Sequence, residues 1–246
     1  MEGGSGIDVI YGGGGNDLIY GCSADAFLET YGDVIFACAD NDTVAGAGGR
    51  DIIYGNDGAD ILFGGYFENY SGSGDDVLFG GARNDQLYGG DGVDWLIGGD
   101  LNGSASGHDI IDGGDGDDWI TGEDGGDQLL GGFRRDLIFG GAGVDYPDGR
   151  FDDDALYPGI GDDLVQTGYG SDLVLVYAAE QNAGGYEYIA DLTPGSDFIG
   201  LAGVNPATIA FGAYGLVPIA GGGTWAIIAA NVGATQLQAS VFAWSA

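Results

Sequence analysis

Seventeen aspartates stand at one phase of a repeating pattern: Asp8, Asp17, Asp33, Asp42, Asp51, Asp60, Asp76, Asp85, Asp94, Asp109, Asp118, Asp127, Asp136, Asp145, Asp154, Asp163 and Asp172. Acid–base chemistry would need one particular carboxylate pair around a cleft, and a repeat singles out none. Stacked in register beside backbone carbonyls, the same carboxylates form oxygen cages. Calcium, a hard cation that accepts six to eight oxygens, suits such a cage. All seventeen are therefore candidate metal ligands. Stacking them requires a fold that returns the chain to the same edge at a constant interval.

The interval is nine residues. Units begin at residues 3, 12, 28, 37, 46, 55, 71, 80, 89, 104, 113, 122, 131, 140, 149, 158 and 167, and aspartate fills position six of every one. Position eight is Ile, Leu or Val except at Pro147. Glycine fills position four except at Tyr31, Asp40, Arg83, Arg134 and Asp152. Glycines at positions one, two and four permit a tight turn and close approach of carbonyls to an ion. Positions seven to nine, such as Val9-Ile10-Tyr11, suit a very short strand. Alternation turns position eight inward and its neighbours outward. Two units then make an eighteen-residue coil, and stacked coils form two parallel sheets with an aspartate in every turn. Segments 21–27, 64–70 and 98–103 interrupt the count and read as enlarged turn loops.

Composition agrees. Of 246 residues 54 are glycine, without a collagen period, and 39 acids face five arginines and no lysine, for a formal net charge of -34. Such a chain repels nucleic acids and anionic lipid surfaces. It also repels itself, so compaction needs something that neutralises the acids. No segment approaches the roughly 20 apolar residues of a membrane span. The N-terminal MEGGSGIDV lacks the basic and apolar regions of a signal peptide.

With these residues in view the chain resembles the RTX, or hemolysin-type, calcium-binding repeat family, whose unit reads GGxGxDxUx. Here the unit stands as GGSGIDVIY at 3–11 and GGGGNDLIY at 12–20, and it continues in phase to 175. The resemblance implies an all-β fold, a right-handed parallel β-roll over residues 3–175 with multiple calcium ions in the turns. The ligands it implies are the seventeen aspartates together with turn carbonyls. It also implies a bacterial protein, secreted or on the cell surface, exported through a type I channel. Residues 176–246 are expected to form a β-rich cap and secretion segment. There YEYIADLTPGSDFIGLAGV (186–204) and the final VFAW resemble the segment C-terminal to the roll in secreted relatives.

Several departures carry expectations of their own. Arg134, Arg135 and Arg150 fall near Asp136, Asp152, Asp153 and Asp154, so guanidinium charge is expected to replace calcium there, with Arg83 doing the same on the opposite edge. Tyr31 and Asp40 lack the turn glycine, which makes the turns around the first insert poor sites. Cys22 and Cys38 open turns on opposite edges, too far apart for a disulfide when a three-residue strand spans roughly 10 Å. In odd-numbered units position seven carries Val9, Val34, Ile52, Val77, Trp95, Trp119, Leu137, Ala155 and Leu173, with no polar residue. Position nine adds Tyr11, Phe36, Tyr54, Phe79, Phe139 and Tyr157, whereas the even face mixes in Thr43, Gln86, Asp112, Gln128 and Asp148. The odd face is expected to meet a second copy of the chain, an N-terminal domain outside this sequence, or a polysaccharide.

No catalytic machinery is expected in this chain. It contains neither HExxH nor GxSxG, and its one histidine, His108, sits in a turn where exposure is the default. The chain reads as a calcium-binding module, or as the non-catalytic tail of a protease, lipase or polysaccharide-modifying enzyme.

Overall fold

The structure is a computed structural model that describes residues 1–22, 31–67, 74–100, 107–177, 186–192, 196–202, 226–229 and 242–243. Even-numbered units form a sheet of β1 (Glu2–Gly4), β3 (Leu18–Cys22), β5 (Thr43–Ala45), β7 (Ile61–Phe63), β9 (Gln86–Asp91), β11 (Ile110–Asp115), β14 (Gln128–Phe133) and β16 (Tyr146–Arg150), paired in that order. Odd-numbered units form the other sheet. It runs β2 (Val9–Gly14), β4 (Val34–Ala39), β6 (Ile52–Asp57), β8 (Val77–Ala82), β10 (Trp95–Ile97), β12 (Trp119–Thr121), β15 (Leu137–Gly143), β17 (Ala155–Gly161), β19 (Leu173–Tyr177), β21 (Phe198–Ala202) and β23 (Phe242–Ala243), with β13 (Asp124–Gly125) beside β15. The strands β18 (Asp163–Val165), β20 (Tyr186–Ile189) and β22 (Ala226–Ala229) form a third sheet. The named strand pairs are parallel, and no described residue is helical. This is an all-β parallel β-roll.

The register follows from the repeat. Ile35 faces Ile53 one coil on, and Leu129 faces Pro147. Where an insert intervenes the phase is regained, so that Ile10 faces Ile35, Ile53 faces Leu78 and Leu87 faces Ile111. Position eight fills the narrow interior: Ile19, Ile35, Ile53, Leu62, Leu78, Leu87, Leu96, Ile111, Ile120, Leu129, Ile138 and Leu156 are wholly buried. Each such side chain contributes roughly 1.5–3 kcal/mol of transfer free energy. Pro147 is tolerated inside, but it has no N–H for the ladder. The next coil joins it through Leu164 N–H to Asp145 O and Gln166 N–H to Pro147 O, and here the even sheet gives way to β18.

In two respects the chain departs from the nine-residue count. The first residues of the inserts, Gly21, Gly64 and Gly98, take the place of position one in the units counted from 28, 71 and 104. A Cβ on Gly21 would lie 2.6 Å from Asp33 Oδ2, the relation that Gly80 has with Asp85 at 2.7 Å. The extra residues therefore follow position one rather than precede it. Second, coiling continues past residue 175. Asp163-Leu164-Val165 pairs with Glu187-Tyr188-Ile189, and Leu173-Val174 with Phe198-Ile199. Ile189 and Ile199 are buried at position eight, while Glu187 and Asp197 stand at position six. Glycines and the constant spacing both lapse there, which hides these units from a count.

The odd face stacks on itself at its N-terminal end. Tyr11, Phe36, Tyr54 and Phe79 form a column with centroids 4.9–5.0 Å apart and planes within 10° of parallel. Farther on, Trp95 and Trp119 are tilted by 42° at 5.1 Å, and Trp95 remains 50% exposed.

Candidate metal centre

In the described turns position two takes left-handed φ, and in many position four does as well, even where the residue is not glycine. Cys38, Ala47, Asn56, Glu123 and Arg150 do so at position two, and Asp40, Arg83, Arg134 and Asp152 at position four, with φ from 69° to 90°. A left-handed side-chain-bearing residue costs about 1–3 kcal/mol, so the turn geometry is imposed from outside the residue. Asp40 and Asp152 offset part of that cost: their carboxylates accept the N–H of Gly15 and Arg134, each at 3.0 Å. Despite Tyr31 and Asp40, Asp33 and Asp42 remain in line with the other position-six residues.

These aspartates form two unbroken ladders. On the odd edge the backbone N–H of each donates to Oδ1 of the next through Asp8, Asp33, Asp51, Asp76, Asp94, Asp118, Asp136, Asp154 and Asp172, at 2.7–2.9 Å. Asp172 continues to Asp197 at 3.3 Å. On the even edge the series is Asp17, Asp42, Asp60, Asp85, Asp109, Asp127, Asp145 and Asp163, at 2.7–2.9 Å. Neighbouring coils lie about 4.8 Å apart, so carboxylates of like charge are stacked at that spacing and shielded from water.

The ladder bonds use Oδ1 alone. Oδ2 of Asp42, Asp60, Asp76, Asp85, Asp94, Asp118, Asp127, Asp136, Asp145, Asp154 and Asp172, among others, is buried and has no hydrogen-bond partner. A buried polar group left this way costs roughly 1–3 kcal/mol, more when charged. The orphaned oxygens face a cradle. A Cβ built on Gly131 would stand 2.5 Å from Asp136 Oδ2 and 2.8 Å from the carbonyl oxygen of Gly149, one coil on. Carboxylate and carbonyl oxygens thus converge on a space that glycine leaves open, a donor set that matches a hard oxygen-seeking cation. Among the described residues no three His, Cys, Asp or Glu side chains cluster closely enough to hold a metal by themselves. Backbone carbonyls must supply the remaining ligands.

The electrostatics point the same way. Burial, opposed by the N–H bond from the adjacent aspartate, pushes the carboxyl of Asp60 up to about 6, Asp94 and Asp136 to about 7, Asp85 and Asp118 to about 8, and Asp154 to about 9. The stacked carboxylates raise Asp76, Asp118 and Asp154 further. Without a counter-charge the folded ladder holds protons near neutrality.

The arginines do not enter the cages. Arg134 Nε donates to Asp115 Oδ1 at 2.6 Å, Arg135 Nη2 to Asp117 Oδ2 at 2.9 Å, and Arg50 pairs with Asp75, all on the exposed rim. The expected substitution of guanidinium for an ion therefore fails at Asp136 and Asp154, whose Oδ2 atoms stay unpartnered. The rim pairs hold Asp75 and Asp117 below the ordinary carboxylate range, through the Arg50 side chain and the Arg135 N–H respectively. Position five supplies a second ladder that the count by position six overlooks. Side-chain oxygens of Asn16, Asn41, Asp75, Asn84, Asp117 and Asp153 accept the N–H of Asn41, Ala59, Val93, His108, Arg135 and Ser171, one coil away. The recurrence of Asn and Asp at that position is the signal for it in the sequence. His108 is exposed, its Nδ1 3.2 Å from Gly126 O, and Cys22 and Cys38 are not disulfide-bonded.

The chain matches the family described as the RTX calcium-binding nonapeptide repeat (4 copies) over residues 1–21, 39–65, 70–105, 104–133, 121–156 and 130–165. No curated protein matches it. Two ladders of buried position-six aspartates, closed by parallel nonapeptide half-coils and matched by that family over more than half the sequence, make this chain a member of the RTX calcium-binding repeat family.

Proposed function

We propose that this chain is a calcium-binding module of an extracellular bacterial protein, and that it folds when calcium fills the two rows of turns. The orphaned, buried Oδ2 atoms carry this reading, because a hydrogen-bonded core has no use for them. The position-six aspartates would hold the ions together with position-one carbonyls. Bound calcium supplies the positive charge that offsets a formal net charge of -34. The chain's own part is to hold each carboxylate in register through its Oδ1 bond and to keep water from the turn.

Extracellular calcium modules bind at about 10⁻⁴–10⁻³ M. A chain with such sites stays unfolded in the cell and folds after export, which suits a type I channel with residues 176–246, the last coils included, as cap and secretion segment. The module itself is non-catalytic in this reading. Calorimetric titration should show several calcium ions binding, with magnesium unable to replace them because it demands a smaller octahedral shell. Equal binding of magnesium, or no calcium heat, would refute it.

Trp95 and Trp119, 50% and 41% exposed, favour a second role for the odd face. We propose this pair as a contact surface for a second copy of the chain, with a polysaccharide as the other candidate. Replacing both by Ser should abolish calcium-dependent association in sedimentation velocity. Association that survives the double change excludes the pair as its basis.

A further inference from the structure

In most described turns the residue at the cradle is glycine, but the chain places Ala37, Pro158 and Thr167 there. The space matters because two oxygens border it. A Cβ on Gly80 would lie 2.5 Å from Gly98 O and 2.7 Å from Asp85 Oδ2. A cation touching both needs oxygens at about 2.3–2.6 Å, whereas a carbon atom there must push them away. Ion and Cβ compete for the same pair of oxygens.

Thr167 shows what a side chain does at this position. Its Oγ1 lies 3.1 Å from Asp191 Oδ1 and 3.3 Å from Asp197 Oδ2, within donating distance of both. Here a hydroxyl stands at the position that is bare in a glycine turn and reaches Asp197, the ladder carboxylate one coil on, while Asp172 Oδ2 in its own turn stays unpartnered. Asp191 also accepts the N–H groups of Thr167 at 2.8 Å and Gly168 at 3.1 Å, so the chain's own donors crowd this turn.

We infer that the residue at position one decides which turns hold an ion: glycine turns take calcium, and the turns opened by Ala37, Pro158 and Thr167 do not. The inference rests on the calcium reading above. It divides the rows unevenly. The even row is blocked near its start by Ala37 and near its end by Pro158, and the odd row ends at Thr167. The last turn of each row therefore holds no ion, and the even row is interrupted at its second turn. Ladder continuity does not depend on the ion at a blocked turn, since Asp42 Oδ1 still accepts the N–H of Asp17 at 2.8 Å.

Equilibrium dialysis with radioactive calcium, with circular dichroism to confirm β structure, tests this on the full chain. Ala37→Gly and Pro158→Gly should each bind one more ion than the parent, and Gly80→Ala one fewer. If Gly80→Ala fails to fold, the two glycine variants decide alone, since they take side-chain carbons out of the turn. A parent that binds calcium while Ala37→Gly and Pro158→Gly keep its stoichiometry would overturn the inference and leave the calcium reading intact. A parent that binds no calcium would remove both.

Discussion

In chelator, lowering the pH from about 9 to about 5 should convert the chain from coil to β structure. The direction comes from the ladder carboxyls, which burial raises from an ordinary 3.8 to about 6 at Asp60, Asp109 and Asp172, about 7 at Asp127 and Asp145, about 8 at Asp76 and Asp85, and about 9 at Asp154. Between the unfolded and folded values the folded chain binds more protons than the unfolded one, so its stability falls as pH rises. The contribution is fully present below about 4 and is lost as pH climbs through about 6 to 9. Calcium reverses the sign, because it binds the deprotonated carboxylate and protons compete with it. The calcium-loaded chain should therefore lose stability on acidification, while the chelated chain gains it. Ellipticity near 218 nm, followed against pH with and without calcium at low protein concentration, shows whether the two curves run oppositely. Curves of the same slope would mean that the ladder carboxylates do not carry the charge of the fold.

Asp118→Asn should separate the two tasks of one ladder residue. Asp118 Oδ1 accepts the N–H of Asp94 at 2.8 Å, and an amide oxygen keeps that bond. Its Oδ2 is buried without a partner, and there an NH₂ group can donate to a turn carbonyl. In chelator the variant loses a buried charge and an orphaned acceptor, worth roughly 1–3 kcal/mol, so its acid-folding midpoint should move to higher pH. In calcium it lacks an anionic ligand, and affinity should drop by at least the roughly 10–100-fold that loss of an outer-shell partner costs a metal site. Opposite shifts of the acid and calcium midpoints are expected. Asp118→Ala, which also strands the Asp94 N–H, should weaken both. If Asn and Ala behave alike, the Oδ2 of Asp118 has no separate role.

The sequence was most legible where one position has one task. Asp at six and Ile, Leu or Val at eight recur because every coil needs a cage and a core, and the structure places both as the spacing requires. Legibility failed where space and count part company. Gly21, Gly64 and Gly98 serve as position one although six or seven residues separate them from the units they open. Glu187 and Asp197 extend the roll at spacings of 24 and 25 residues from Asp163 and Asp172, which a nine-residue count cannot reach. The arginines mislead for another reason. Sequence proximity put Arg134 and Arg135 beside Asp136, but their long side chains reach backward by one coil to Asp115 and Asp117 on the rim.

If the ion is part of the fold, far-UV circular dichroism of the chelated chain at pH 8, titrated with calcium, will show it. The expected result is a coil spectrum that becomes β-rich in a cooperative step near millimolar calcium, with magnesium leaving the coil unchanged. A β-rich spectrum already present in chelator at that pH would contradict it, and would mean that the stacked apolar columns and rim ion pairs hold the roll without calcium.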